Sequence, residues 1–144
     1  MDDDYIKELT EEEKRIFLSI CCKLIKADQY VDKQEVDFLK LIAERYNVDD
    51  SFVVEIIKAQ NIDHIELAKK IHNRQHALEL IKELCVLANI DSDLHDNELD
   101  IIIDVAKAMK IENKKVILIN RWVLDCAIVT KTGELIMERK HDEL

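Results

Sequence analysis

The near absence of residues that interrupt helices constrains this chain more than any other feature. Among 144 residues there is one glycine, Gly133, and no proline. Both residue types break helices, and the remaining composition is rich in Leu, Ile, Lys and Glu, which favour them. The sequence therefore predicts an all-α fold. A chain of this length can bury one core, so we expect a single domain over residues 1–144.

Apolar residues recur at helical spacing behind polar residues that can cap a helix N-terminus. Thr10 and Glu13 have the form of a capping box ahead of a first helix. Asp32 and Glu35 repeat that form ahead of a second helix. Followed along the chain, the pattern predicts a compact bundle of about seven helices, in which the single tryptophan, Trp122, is interpreted as a core residue.

The C-terminal tail allows two structures. Residues 127–130 and 134–137 could pair across the turn at Lys131-Thr132-Gly133 as a small hairpin. A short terminal helix beginning at Glu134 is the alternative. The sequence alone leaves both open.

The chain contains an internal repeat. Residues 22–57 align without a gap on residues 85–120, at a constant offset of 63 positions. Cys22, for example, aligns with Cys85. Apolar positions match throughout, and the more informative polar matches are Asp28 with Asp91 and Glu35 with Glu98. We therefore expect two pseudo-two-fold-related repeats, over about 11–57 and 74–120. Each is a helix, an acidic loop and a helix, and each covers the apolar face of the other.

The repeated residues also carry a family resemblance. The pattern Ala27-Asp28-x-x-Val31-x-x-x-Glu35 resembles the short motif of TerB-like domains, associated with tellurite resistance, and Asp91-x-x-Leu94-x-x-x-Glu98 repeats it. The usual glycine of that motif is replaced by Gln29 and Ser92, so the chain resembles a divergent member. The resemblance implies an all-helical domain in which Asp28, Glu35, Asp91 and Glu98 hold a divalent cation, with no firmly attached enzymatic reaction.

The chemistry of the acidic loops agrees with a cation or partner site. A carboxylate leaving one helix and another in the first turn of the next can give a hard cation its oxygen ligands. The second loop adds Asp93, His95 and Asp96, which we assign as candidate partner-binding residues. The loop is not an EF-hand, because Ile102 stands where the bidentate glutamate is required. Helix capping by the same acidic residues is the competing interpretation.

Charge and composition exclude several functions. Thirty-one acidic and 21 basic residues give a formal charge of −10, which disfavours nucleic acid as a partner and suits a cation or a basic protein surface. No apolar run is long enough to cross a bilayer, and the acidic N-terminus is unlike a signal peptide, so we expect a cytoplasmic protein without membrane insertion.

The cysteines and most of the histidines suggest no reactive site. Without a C-x-x-C pair, the four cysteines are expected to be reduced, and those on apolar stripes are expected to be buried: Cys22, Cys85 and Cys126. Four histidines have no nucleophile or ligand at a useful spacing and are predicted to be solvated: His64, His72, His76 and His141.

Three functional hypotheses follow. The first is a non-enzymatic module that binds a divalent cation or a basic protein partner through its acidic loops, in a tellurite-resistance or stress-response setting that the resemblance alone implies. The second is a metal-dependent hydrolase, which requires the two loops to face each other so that five side chains converge: Asp28, Glu35, Asp91, His95 and Glu98. The third is a structural oligomerisation domain, which requires an exposed apolar patch.

Overall fold

The computed structural model describes residues 4–27, 33–59, 61–89 and 96–138, and all regular structure within these ranges is helical. A short 3-10 helix over Asp4–Glu8 precedes seven α-helices. The α-helices are α1 (Glu11–Ile25), α2 (Lys33–Arg45), α3 (Asp50–Lys58), α4 (His64–Ala68), α5 (Arg74–Ala88), α6 (Asp96–Ala108) and α7 (Asn113–Met137). The predicted all-α bundle is therefore confirmed.

The helix boundaries repeat with the 63-residue offset of the sequence. α5 and α6 begin and end 63 residues after α1 and α2, and α7 begins 63 residues after α3. The N-caps follow the same rule, since Thr10 accepts the amide hydrogen of Glu13, and its equivalent Asn73 accepts that of His76. The predicted capping box at Thr10 is formed. The two halves of the chain thus use one local design twice.

The ends of α2 and α6 show how closely this design is copied. Asn47 and Lys110, again 63 residues apart, adopt φ angles of 56° and 62°. The next residue in each case donates its amide hydrogen to the helix, Val48 to Ala43 at 2.9 Å and Ile111 to Ala106 at 2.8 Å. This is the Schellman arrangement, in which a left-handed residue lets the chain leave the helix while the last carbonyls remain bonded.

α1 and α5 form the centre of the core. Both helices pack against each other, and each also packs against the α-helix that follows it. Phe17, Leu18 and Ile20 on α1, and Leu80 and Leu84 on α5, are fully buried. The core therefore lies between the two repeats, and each repeat supplies the apolar surface that the other needs.

A polar contact joins equivalent residues of the two repeats. Glu13 lies in the first turn of α1, and its Oε2 is 2.8 Å from Nδ1 of His76 in the first turn of α5. The two residues are 63 positions apart. A residue that contacts its own equivalent lies close to the axis relating the repeats, so this contact marks the approximate two-fold axis. His76 was predicted to be solvated, which is wrong, since it is only 6% exposed.

His64 also departs from the prediction. It opens α4, is partly buried, and lies with Nε2 3.2 Å from Oδ2 of Asp104 on α6. His72 is exposed, as predicted, and His141 lies outside the described residues. The two histidines whose burial differs from the prediction are those whose acidic partners come from a distant part of the chain.

The C-terminal tail is neither of the two predicted structures. α7 continues through Gly133 to Met137, so no hairpin forms, and the terminal helix is part of α7 rather than a separate element. A single glycine inside a helix costs about 1 kcal/mol relative to alanine, which is too little to end a helix whose neighbours favour it. Trp122 on the same helix is 48% exposed, so its assignment to the core is also wrong.

Lys110→Gly should stabilise the protein. A residue with a side chain at a φ angle of 62° is strained by roughly 1 kcal/mol, and glycine relieves that strain. We expect a gain of about 0.5–1 kcal/mol in the free energy of unfolding, measured by urea denaturation. Lys107→Gly, within the helical part of α6, is the matched control and should destabilise by a similar amount. Equal effects of the two substitutions would contradict the interpretation.

Glu13 should contribute pH-dependent stability. Burial acts to raise the pKa of Glu13, but hydrogen bonds from Thr10 and His76 outweigh it and leave the pKa below its usual value. Because the folded-state pKa is lowered, the stabilisation is present above the unfolded-state pKa of about 4.3 and is lost as the pH falls through the folded-state value.

Glu13→Gln keeps the capping-box geometry and removes the charge. We expect it to lower the free energy of unfolding at pH 7 by about 1 kcal/mol, with the difference from wild type shrinking below about pH 4. Denaturant melts at pH 7 and pH 3.5 measure this difference. Glu12→Gln, in the same turn but 3.9 Å from Lys70 and far more exposed, is the control and should show little effect. A constant difference for Glu13→Gln at both pH values would refute the charge-based explanation.

Candidate functional site

The segments that carry the predicted acidic site lie between α1 and α2 and between α5 and α6. Asp28, Asp91, Asp93 and His95 lie outside the described residues. Glu35, Asp96 and Glu98 are described, and all three stand in the first turn of a helix. The site can therefore be built from its flanks, which are the end of α1, the start of α2, the end of α5 and the start of α6.

Glu35 and Glu98 are buried carboxylates at equivalent positions. They are 7% and 4% exposed, whereas Asp96, the first residue of α6, is exposed. Removing a carboxylate from water costs several kcal/mol unless hydrogen bonds, opposite charges or a metal ion compensate it. Both residues have interaction partners, so capping and ligation both remain compatible with their burial.

The flanks of the two acidic segments meet. Nδ2 of Asn97, near the start of α6, lies 3.5 Å from the carbonyl oxygen of Ala27, which directly precedes Asp28. A polar groove of about 360 Å³ lies between these flanks, and Lys23, Lys26 and Asp100 are among its lining residues. One end of the bundle therefore brings together the residues that open the first acidic segment and those that follow the second.

Lys26 fixes the end of α1 in this groove. Its Nζ donates a hydrogen bond to the carbonyl oxygen of Ile57, at 2.9 Å, and another to that of Ala59. Both carbonyls lie at the C-terminal end of α3, where a cation complements the helix dipole. The lysine charge is thus directed to α3, and the first acidic segment leaves α1 from an anchored residue.

Asn89 has the corresponding place at the end of α5. Its Nδ2 donates to the carbonyl oxygen of Cys85 at 2.7 Å and to Oδ1 of Asn120 on α7 at 2.9 Å. Asn89 is the repeat equivalent of Lys26, so each acidic segment begins just after a side chain that ties its first helix to its third. Both segments therefore follow a residue that is hydrogen-bonded to another helix.

A complete metal site cannot be assembled from the described residues alone. Within 4–27, 33–59, 61–89 and 96–138, no three His, Cys, Asp or Glu side chains are grouped closely enough to hold an ion. Glu35 and Glu98 supply oxygen donors of the kind that hard divalent cations prefer. They fit such an ion only together with ligands from residues 28–32 and 91–95, among which the sequence provides Asp28 and Asp91. The cation site and the hydrolase alternative both stay predictions.

A second buried polar cluster was not predicted from the sequence. The Tyr5 hydroxyl donates to Oε1 of Glu83 at 2.5 Å, and the Arg45 guanidinium binds the same oxygen at 2.9 Å. The Tyr46 hydroxyl lies 3.1 Å from that of Tyr5, and Nζ of Lys82 lies 4.7 Å from the centre of the Tyr5 ring. Burial and the neighbouring Glu83 raise the pKa of Tyr5, so its hydroxyl stays protonated as a donor. The cluster ties the N-terminal 3-10 helix to α2 and α5.

The predicted burial is confirmed for Cys22 and Cys85 but not for Cys126, which is only partly buried. Cys21, Cys22 and Cys85 are buried and reduced, and Cys126 is partly buried. Burial raises the pKa of the Cys85 thiol to about 12, and it also raises that of Cys22. A thiol with a raised pKa carries little thiolate at neutral pH and is a poor nucleophile or ligand.

No described helix combines the length and the hydropathy needed to cross a bilayer, although α7 has 25 residues. Comparison with protein families gives a match. The model of the TerB family, described as tellurite resistance protein TerB, matches residues 17–121. No curated protein and no solved structure matches the chain significantly.

The matched range contains both acidic segments and ends at Arg121, the repeat equivalent of the last residue of α3. It covers most of the chain and agrees with the all-helical bundle and with the motif at residues 27–35 and its repeat. The chain therefore belongs to the TerB family of tellurite resistance proteins.

Proposed function

We propose that this protein is a non-enzymatic binding module that holds a divalent cation between its two acidic segments, in a tellurite-resistance or stress-response setting. Four carboxylates would supply the ligands, one pair from each repeat: Asp28 with Glu35, and Asp91 with Glu98. The observation that carries the proposal is the burial of Glu35 and Glu98 at equivalent helix starts.

Burial is informative because capping does not require it. A glutamate in the first turn of a helix can lie at the surface, as Glu12 does at 70% side-chain exposure in α1. Glu35 and Glu98 instead lie inside the fold, where an ionised carboxylate gains most from a strong partner such as a metal ion. Their equivalence across the repeat gives the ion two symmetric sources of oxygen.

The contact of Asn97 with Ala27 supports the same proposal, because it places the flanks of the two segments within hydrogen-bonding distance. The proposal requires side chains from both segments to reach one ion. The formal charge of −10 favours a cation as the ligand. A basic protein surface bound through Asp93, His95 and Asp96 is the alternative occupant of the same acidic end.

Calorimetric titration of the chelator-treated full chain with Ca²⁺, Mg²⁺, Mn²⁺ and Zn²⁺ tests the proposal. We expect saturable binding of at least one ion, and a loss of at least about 100-fold in affinity for the double substitution Asp91→Asn with Glu98→Gln, because two of four charged ligands become neutral. Asp50→Asn with Glu55→Gln makes the same charge change on the exposed face of α3 and should leave binding unchanged.

Thermal melts of each variant, with and without ion, separate ligation from capping. A ligand pair should leave the melting temperature of the ion-free protein nearly unchanged and remove the stabilisation that the ion provides. Unfolding of the ion-free double variant would assign these residues to capping. The absence of saturable binding of all four ions to the wild type would refute the cation proposal and leave the basic partner.

A further inference from the structure

We propose that the solvent face of α7 is a self-association surface, on which a second copy of this chain packs its own α7 in the antiparallel direction. This inference is independent of the proposed function, because it concerns a different surface. It rests on the exposure, the spacing and the symmetry of the side chains along the helix.

The second half of α7 extends beyond the core. Val116 and Val123 are buried and Cys126 is partly buried, but every residue from Ala127 to Glu138 is exposed. The described part of the chain leaves this overhang exposed, so its surface is available for further packing. The overhang also lies outside the range that matches the TerB family, which ends at Arg121.

The exposed face of α7 is strongly apolar. Two stripes run along it, Ile117, Leu124, Ile128 and Leu135 in one, and Leu118, Trp122, Val129 and Ile136 in the other. The spacings of four and seven residues keep each stripe on one side of the helix. Val129 and Ile136 are 70% and 69% exposed. Arg121, Asp125 and Thr132 lie between the two stripes, and paired exposed apolar stripes of this kind are typical of an interaction surface.

The order of residues favours a second copy as the occupant. An antiparallel pairing centred between Cys126 and Ala127 places Ile117 opposite Ile136, Leu118 opposite Leu135, and Leu124 opposite Val129. The pattern thus reads alike from both ends of the helix, as an isologous two-fold interface requires. The same centre separates the core-anchored half of α7 from the overhang, so each overhang would cover the anchored half of the other copy.

Charges along α7 select the direction. The antiparallel pairing places Arg121, which lies between the two stripes, opposite Thr132, so the Arg121 charges of the two copies stay apart. A parallel pairing in register would instead bring Arg121 and Asp125 each next to its own copy, with like charges repelling. Asp125 lies opposite Ile128, and Arg121, Asp125 and Thr132 are polar residues between the two stripes that limit the affinity.

The bundle leaves room for such a pairing. α7 packs against α5 and α6 through the side that carries Val116 and Val123, opposite to the two stripes. The bodies of the two copies would therefore lie on the outer sides of the helix pair. At a rise of 1.5 Å per residue the helices could face each other over about 37 Å, which gives an interface at the small end of the specific range.

Sedimentation equilibrium of the full chain tests the surface. We expect the wild type to form a dimer at micromolar concentrations. The double substitution Val129→Glu with Ile136→Glu should lower the association affinity by at least about 100-fold, because it buries charges in the interface between the two α7 helices. Leu41→Glu with Val54→Glu alters two apolar residues exposed elsewhere, 50% and 46%, and should dimerise like the wild type. Circular dichroism of each variant checks that the helices are retained.

Spin labels determine the direction of pairing. In a Cys126→Ser background, a label at Leu135→Cys should lie about 26 Å along the helix axis from its copy in the antiparallel pair, against about 10 Å in a parallel one. A monomeric wild type at millimolar concentration would overturn the proposal and leave the face to another partner. A dimer that survives the double glutamate substitution, or a short label distance, would overturn it as well.

Discussion

The mutual burial of α1 and α5 is the constraint on which the rest of the structure depends. Each repeat by itself has an apolar helix that its own neighbours cannot cover, so the two repeats stabilise each other through this contact. Polar residues that the helices bring inward must then be paired there. Glu83 on α5 is 3% exposed and is compensated by Tyr5 and Arg45, which come from two other elements.

The same contact explains why the local design is copied so faithfully. An approximate two-fold interface requires both helices to enter it at matching heights, and the N-caps set those heights. Thr10 and Asn73 start α1 and α5 at equivalent positions, and Glu13 and His76, one turn further, meet at the axis. The equal left-handed turns at Asn47 and Lys110 then return each chain to the bundle at the same point.

Most of the fold could be predicted from periodicity, caps and the repeat, because these are local signals. The predictions that were wrong depended on information that is not local. His76 resembles a surface histidine until its partner Glu13 is brought to it by the fold. Gly133 indicated a turn, but it lies inside α7, with open space beside its Cα. Of the predicted site residues, Glu35 and Glu98 are described, and their burial could not be predicted from the sequence because it follows from the packing around them.

Asn89 connects the two surfaces for which functions are proposed. It ends α5 just before the second acidic segment, bonds to Asn120 on α7, and lines a groove with Val123 and Cys126 where the overhang begins. A change in the position of α7 would therefore act on a residue that anchors the acidic segment. If both proposals hold, any effect of self-association on ion affinity must be matched by an equal effect of the ion on self-association, because coupling between two binding equilibria is reciprocal.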